Sequence, residues 1–123
     1  MSPPNQSARL TKLARHKTTR LTHYGRKTGK PYQVTIWFLV DGETLYLTTM
    51  DMGRQWTQNV QSNPEIELEM GGERIQGRVE GVVSTDAEMK RVVDLMKRKY
   101  LLSRPYLWIK RRPDGAFRVK VAP

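Results

Sequence analysis

Residues 65–70 alternate without a break: Glu65, Glu67 and Glu69 interleave with Ile66, Leu68 and Met70. Successive side chains of a strand point to opposite faces, so this run predicts a strand with one dry and one wet side. Gly71-Gly72 follows at once as a tight turn, and residues 73–83 return with Ile75, Val79 and Val83 on one face, shared by Gly77 and Gly81. Those glycines suit a bent barrel strand or a close approach of another backbone. A single hairpin is marginal in water, so more strands must cover its apolar face.

The rest of the chain supplies them. Residues 18–24 read as a strand, 25–31 as its connection, and 32–40 as a second strand. In that strand Val34, Ile36, Phe38 and Val40 share one face while Thr35, Trp37 and Leu39 share the other, which predicts a central position. Asp41-Gly42 signals a type I′ hairpin, and residues 43–50 return as a third strand. Trp56 and Val60 lie one helical turn apart, so residues 51–62 are expected to hold a short crossing helix that ends at Asn63-Pro64. Thr85-Asp86-Ala87-Glu88 is a capping box, followed by Met89, Val92, Val93, Met96 and Tyr100 at helical spacing over 86–100. Residues 105–110 form an aromatic-rich extended piece, and 116–121 close the fold with Phe117, Val119 and Val121 inward. Leu10, Leu13 and Ala14 predict an amphipathic helix over 7–17. The expected architecture is mainly β, with helices: an antiparallel barrel of six or seven strands carrying two or three helices, in one domain over 1–123 with 1–17 as an N-terminal helix or arm.

Charge narrows the partners. The chain of 123 residues has a formal net charge of +10, unevenly distributed. Residues 1–40 hold eight Lys/Arg and no acid, residues 97–123 hold nine against Asp114 alone, and residues 41–96 hold five against eleven acids. A positive surface of this kind fits nucleic acid, an acidic membrane touched through the basic N-terminal helix, or a phosphorylated cofactor. The absence of cysteine excludes disulfides and thiolate metal sites, and His16 and His23 are poor material for a metal centre. No cysteine nucleophile, His-Glu pair at metal spacing, Walker loop or dinucleotide-type glycine triplet is present. Glu65, Glu67 and Glu69 read as a solvated edge. No apolar run is long enough to cross a bilayer, and a soluble cytoplasmic protein is expected.

The segment 25–30 carries the densest chemistry. Arg26, Lys27 and Lys30 can pair with phosphate, Thr28 offers a hydroxyl, and Gly25 and Gly29 permit a positive φ that turns amides toward an anion. A plain solvated hairpin loop is the competing reading. A second polar cluster, Arg54-Gln55-Trp56, opens the crossing helix, where the helix dipole also favours anions.

These two clusters carry a resemblance. Leu21-Thr22-His23-Tyr24-Gly25-Arg26-Lys27-Thr28-Gly29-Lys30-Pro31, an apolar strand ending at Asp41-Gly42, and Trp56-Thr57-Gln58-Asn59-Val60-Gln61-Ser62-Asn63-Pro64 together resemble the deazaflavin-dependent nitroreductase family. That family falls within the flavin-binding, pyridoxamine phosphate oxidase-like split β-barrel superfamily. The resemblance implies a split barrel, often a homodimer, and an oxidoreductase that passes a hydride from a reduced 8-hydroxy-5-deazaflavin coenzyme to a nitro, quinone or enone acceptor. It also implies cofactor contacts at Arg26, Lys27, Thr28 and Gly29 for an acidic tail, and at Gln33, Val34 and Thr35 along the ring. Thr48, Thr49 and Met50 would line the other side, and Arg54, Gln55, Trp56 and Asn59 would complete the pocket. Tyr24, Tyr100 and Tyr106 are candidate substrate contacts, with core packing as the alternative for Tyr100 and Tyr106; for Trp108, core or dimer packing is preferred. His23 and Tyr24 are candidate proton donors. The segment before Trp56 is short, and Tyr32-Gln33-Val34 stands where an Arg and Pro-Leu are common, so flavin mononucleotide stays as the alternative cofactor. Two other readings compete: a basic nucleic-acid-binding barrel, whose aromatics would stack on bases, and a non-catalytic flavin or ligand carrier.

Overall fold

Six antiparallel strands close on themselves in a computed structural model that describes residues 4–100 and 113–122. The elements are α1 (Pro4–Leu13), β1 (Thr18–Tyr24), β2 (Pro31–Asp41), β3 (Thr44–Thr49), α2 (Gln55–Ser62), β4 (Glu65–Met70), β5 (Glu73–Val82), α3 (Asp86–Tyr100) and β6 (Gly115–Val121). The strand order around the barrel is β1-β2-β3-β6-β5-β4, and β4 pairs back onto β1 through Arg20↔Glu69, Leu21↔Leu68 and Thr22↔Glu67. The expected helices after the third and fifth strands are both present. The extended piece expected over 105–110, with Tyr106 and Trp108, lies outside the described residues.

Closure explains the burial. Alternating side chains fill the interior: Leu21, Ile36, Phe38, Leu45, Leu47, Ile66, Leu68, Met70, Ile75, Val79, Phe117, Val119 and Val121 form one cluster. Trp56 and Val60 from α2 and Leu10 and Leu13 from α1 join the same cluster, so these two helices cap the barrel. A second cluster lies outside the wall, where α3 presents Val92, Met96 and Tyr100 to Leu39, Tyr46, Val83 and Ala116. The doubly apolar β2 is thereby accounted for within one chain: its outer face, Trp37 and Leu39, is covered by α3, and Trp37 stacks on Tyr100 at 4.9 Å.

Four local expectations change. Glu65, Glu67 and Glu69 are no edge, because β4 is paired on both sides; they face solvent and meet Arg78, Gln76 and Arg74 across β5. A bulge between Val79 and Gly81 inverts the phase of β5, so Val82 turns toward the interior and Val83 toward α3. At the β2–β3 hairpin Asp41 pairs with Thr44, and only Gly42 has a positive φ, 64°, so the loop Gly42-Glu43 matches a type II′ turn rather than type I′. In the capping box Thr85 Oγ1 accepts from the Glu88 amide at 3.1 Å. Glu88 itself turns away and takes Tyr46 Oη at 2.9 Å and Arg118, fastening α3 to β3 and β6.

The β4–β5 turn shows how closely α1 sits. Gly71 and Gly72 have φ of 58° and 80°, and a Cβ on Gly71 would collide with the His16 imidazole, whereas one on Gly72 would meet open space. Gly71→Ala should therefore cost about 2–3 kcal/mol by chemical denaturation, against about 1 kcal/mol for Gly72→Ala, which carries backbone strain alone. Adding His16→Ala should recover the difference; equal costs for the two glycines would mean that no collision exists.

Candidate functional site

A groove of about 330 Å³ opens at the barrel mouth where β1 ends, β2 begins and α2 starts. His23, Tyr32, Gln33, Val34, Arg54, Gln55 and Trp56 line it, and no carboxylate is among them. Trp56, only 4% exposed, meets Phe117 edge-on at 5.5 Å and so fixes a flat apolar floor to the core. Tyr32, 42% exposed, stacks on His23 with centroids 5.8 Å apart. No side chain caps the N-terminus of α2 at Arg54.

The basic loop docks beside this groove through one residue. Arg26 Nη1 donates to Asn59 Oδ1 at 2.9 Å, and Asn59 Nδ2 stands 3.0 Å from His23 Nδ1. Asn59 is 1% exposed, so α2, the loop and β1 are tied by one buried amide. Within the loop the Gly25 amide donates to Lys30 O at 2.9 Å and the Gly29 amide to Gly25 O at 3.1 Å. The two glycine amides are thus consumed internally, and anion binding here falls to side chains. Gly29 alone takes a positive φ, 72°; Gly25 is small because a Cβ would crowd Thr28 Oγ1 and the Tyr32 ring at 3.2 Å. Lys27, Thr28 and Lys30 are exposed.

Several expected site residues lie elsewhere. Thr35 accepts from Arg20 Nη1 at 3.1 Å on the outer barrel face. Thr48 is buried, Thr49 Oγ1 donates to Asp51 O at 2.9 Å, and Met50 packs in the outer cluster under α3. Tyr24 is half-buried at the end of β1, opposite Pro31. Tyr100 is a tether: its hydroxyl lies 2.7 Å from Lys17 O and 3.1 Å from Phe38 O, both acceptors, and burial raises its pKa. The sheet aromatics that a base-stacking surface would need are covered, with Phe38 at 0% and Tyr46 at 6% exposure. His23 and Tyr32 were absent from the expected cofactor contacts. The alternation of β1 places His23 on the interior side with Leu21, which was the available signal.

Two predictions follow from this geometry. Burial lowers the His23 pKa from 6.5, so the folded state binds fewer protons there than the unfolded chain. Its contribution is complete above pH 6.5 and is lost as pH falls below 6.5 and through the lowered folded-state pKa. His23→Gln should flatten that part of a stability–pH curve. Tyr100→Phe should lower stability by about 1–3 kcal/mol, since the carbonyls it serves lose a buried donor, while leaving ligand affinity at the groove unchanged.

Three solved structures share the fold: one described as an F420 reductase (21% identity, TM-score 0.65, 90% of each chain covered), a putative pyridoxamine 5′-phosphate oxidase from Listeria innocua (18%, 0.66, 96% of this chain and 92% of that one), and one described as a domain-swapped dimer (18%, 0.62, 85% and 80%). No curated protein matches the chain. The family model described as F420H(2)-dependent quinone reductase matches residues 5–108, and the chain therefore belongs to that family of deazaflavin-dependent oxidoreductases.

Proposed function

We propose that the barrel-mouth groove binds the deazaflavin coenzyme F420 and that the protein catalyses hydride transfer from its reduced form to a small organic acceptor of quinone, nitro or enone type. The observation that carries this reading is the donor set. Trp56 and Val34 line the groove together with Gln33, Gln55, His23 and Arg54, and Arg26 is docked alongside through Asn59. A planar ring with carbonyl edges and an anionic tail fits that set, because it combines stacking surface, hydrogen-bonding side chains and cations.

When bound, the reduced cofactor would supply a hydride, which carries both electrons of the reduction. Gln33 lines the groove, and its amide is held in place by Arg20, whose Nε donates to Oε1, and by Thr22, whose Oγ1 accepts from Nε2, both at 3.4 Å. Arg26, Lys27 and Thr28 hold the acidic tail, with Gly29 giving the loop its turn. Trp56, fixed by Phe117, sets the plane of the ring. A homodimer, in which a second copy covers the exposed side of the groove, agrees with the exposure of Tyr32. Among the described residues no helix is long and apolar enough to cross a membrane.

Titration with F420 followed by fluorescence should show saturable binding. Lys27→Ala combined with Arg26→Ala should weaken it at least about tenfold, equivalent to about 1.4 kcal/mol, with a smaller change in unfolding midpoint. Reduced F420 and a simple quinone should then give cofactor oxidation followed by absorbance. Absence of binding to either F420 or flavin mononucleotide, together with salt-sensitive DNA binding, would overturn the assignment.

A further inference from the structure

The contacts of Asn59 fix more than its own position. A guanidinium only donates, so the Asn59 atom 2.9 Å from Arg26 Nη1 must be the carbonyl oxygen. That leaves the Asn59 NH2 facing His23 Nδ1 at 3.0 Å. An amide NH2 donates as well, so Nδ1 must offer its lone pair and the ring proton must sit on Nε2. Among the described residues no buried side-chain nitrogen or oxygen lacks a partner. Asn59 occupies Nδ1 and the residue lines the groove, and we infer from the two that Nε2 is the ring nitrogen offered to a ligand there.

We propose that His23 is a neutral, directionally fixed Nε2–H donor to a carbonyl oxygen of the ring system bound in the groove, with Asn59 and Arg26 as the positioning residues that set its tautomer. The inference rests on the cofactor reading of the groove. It replaces the expectation that His23 donates a proton: giving up Nε2–H from a neutral imidazole would leave an imidazolate, so the group polarises an oxygen and keeps its proton. Protonating Nδ1 would set two donors face to face and break the tie between β1 and α2. The groups around the ring favour the neutral form too. Arg26 lies across Asn59 and Arg54 lines the same groove, while Tyr32 stacks on the ring. Burial acts in the same direction.

The tautomer is directly measurable on the full chain without ligand. Long-range proton–nitrogen spectra of labelled protein should show His23 protonated on Nε2 alone from pH 8 to below 6.5. Asn59→Asp should move the proton to Nδ1 and raise the pKa above 6.5, because a carboxylate only accepts. An Nδ1–H tautomer or an imidazolium at pH 7 in the unaltered protein would overturn the proposal. Binding supplies the second readout, with F420 as the probe. His23→Phe should weaken binding about tenfold or more, and His23→Gln, which restores an N–H donor, should recover most of it. Unchanged affinity in His23→Phe would overturn the donor role while leaving the cofactor reading intact. No saturable binding by the unaltered protein would instead remove the cofactor reading, and the donor role with it, even if the tautomer is as stated.

Discussion

A closed six-stranded barrel leaves no room for a ligand inside it. Phe38, Phe117, Leu45, Leu47 and Leu68 are all fully buried in the interior, which side chains fill as small barrels require. Any flat molecule must therefore lie at an end or on the wall. α3 covers much of the wall at β2, β3 and β6, and a ladder of Arg–Glu pairs covers the outer face of β4 and β5. α1 closes the end near the β4–β5 turn, held by the fit of His16 against Gly71. Among the described residues, one groove lies at the mouth beside α2, and a second, of about 230 Å³, lies on β5 and β6 around Gly77 and Lys120.

α2 does two jobs there with one eight-residue helix. Its apolar face, Trp56 and Val60, plugs the barrel and stabilises it by about 2–3 kcal/mol per side chain. Its polar face carries Asn59, which is buried because both its amide ends are satisfied, by Arg26 and by His23. The basic loop is thereby seated by a neutral hydrogen-bond bridge rather than by an ion pair. Pairing Arg26 with a carboxylate would have neutralised a cation at the groove; an amide leaves its charge available to an anion.

Much of the fold was legible along the chain because a closed antiparallel barrel is built from local rules. Strict alternation at Glu65–Met70, glycine turns and the Thr85 cap each mark an element, and β1, β4 and α3 begin and end at the expected residues. The faults came where a local rule had two outcomes. A bulge at Glu80 cannot be seen in a period-two pattern, yet it decides which of Val82 and Val83 faces the interior. The two apolar faces of β2 mark a strand covered on both sides without saying what covers the outer one, and α3 does so. Of the candidate site, Arg54, Gln55, Trp56, Gln33 and Val34 line one groove, whereas Thr48 is buried, Thr49 bonds to its own turn and Met50 packs under α3.

The sequence by itself determined the antiparallel barrel, the order of its helices, the excess of cations at the loop and the family to which the chain belongs. Those follow from periodicity, turn residues and short motifs, all of which are local along the chain. Tertiary structure decided which of the candidate residues share one groove and what state they are in. Nothing in the spacing of Arg26, His23 and Asn59 shows that they meet, since they come together only when α2 folds back across the mouth of the barrel. Once they do, the chemistry is constrained: a guanidinium that can only donate orients the amide, and the amide sets the proton on the imidazole.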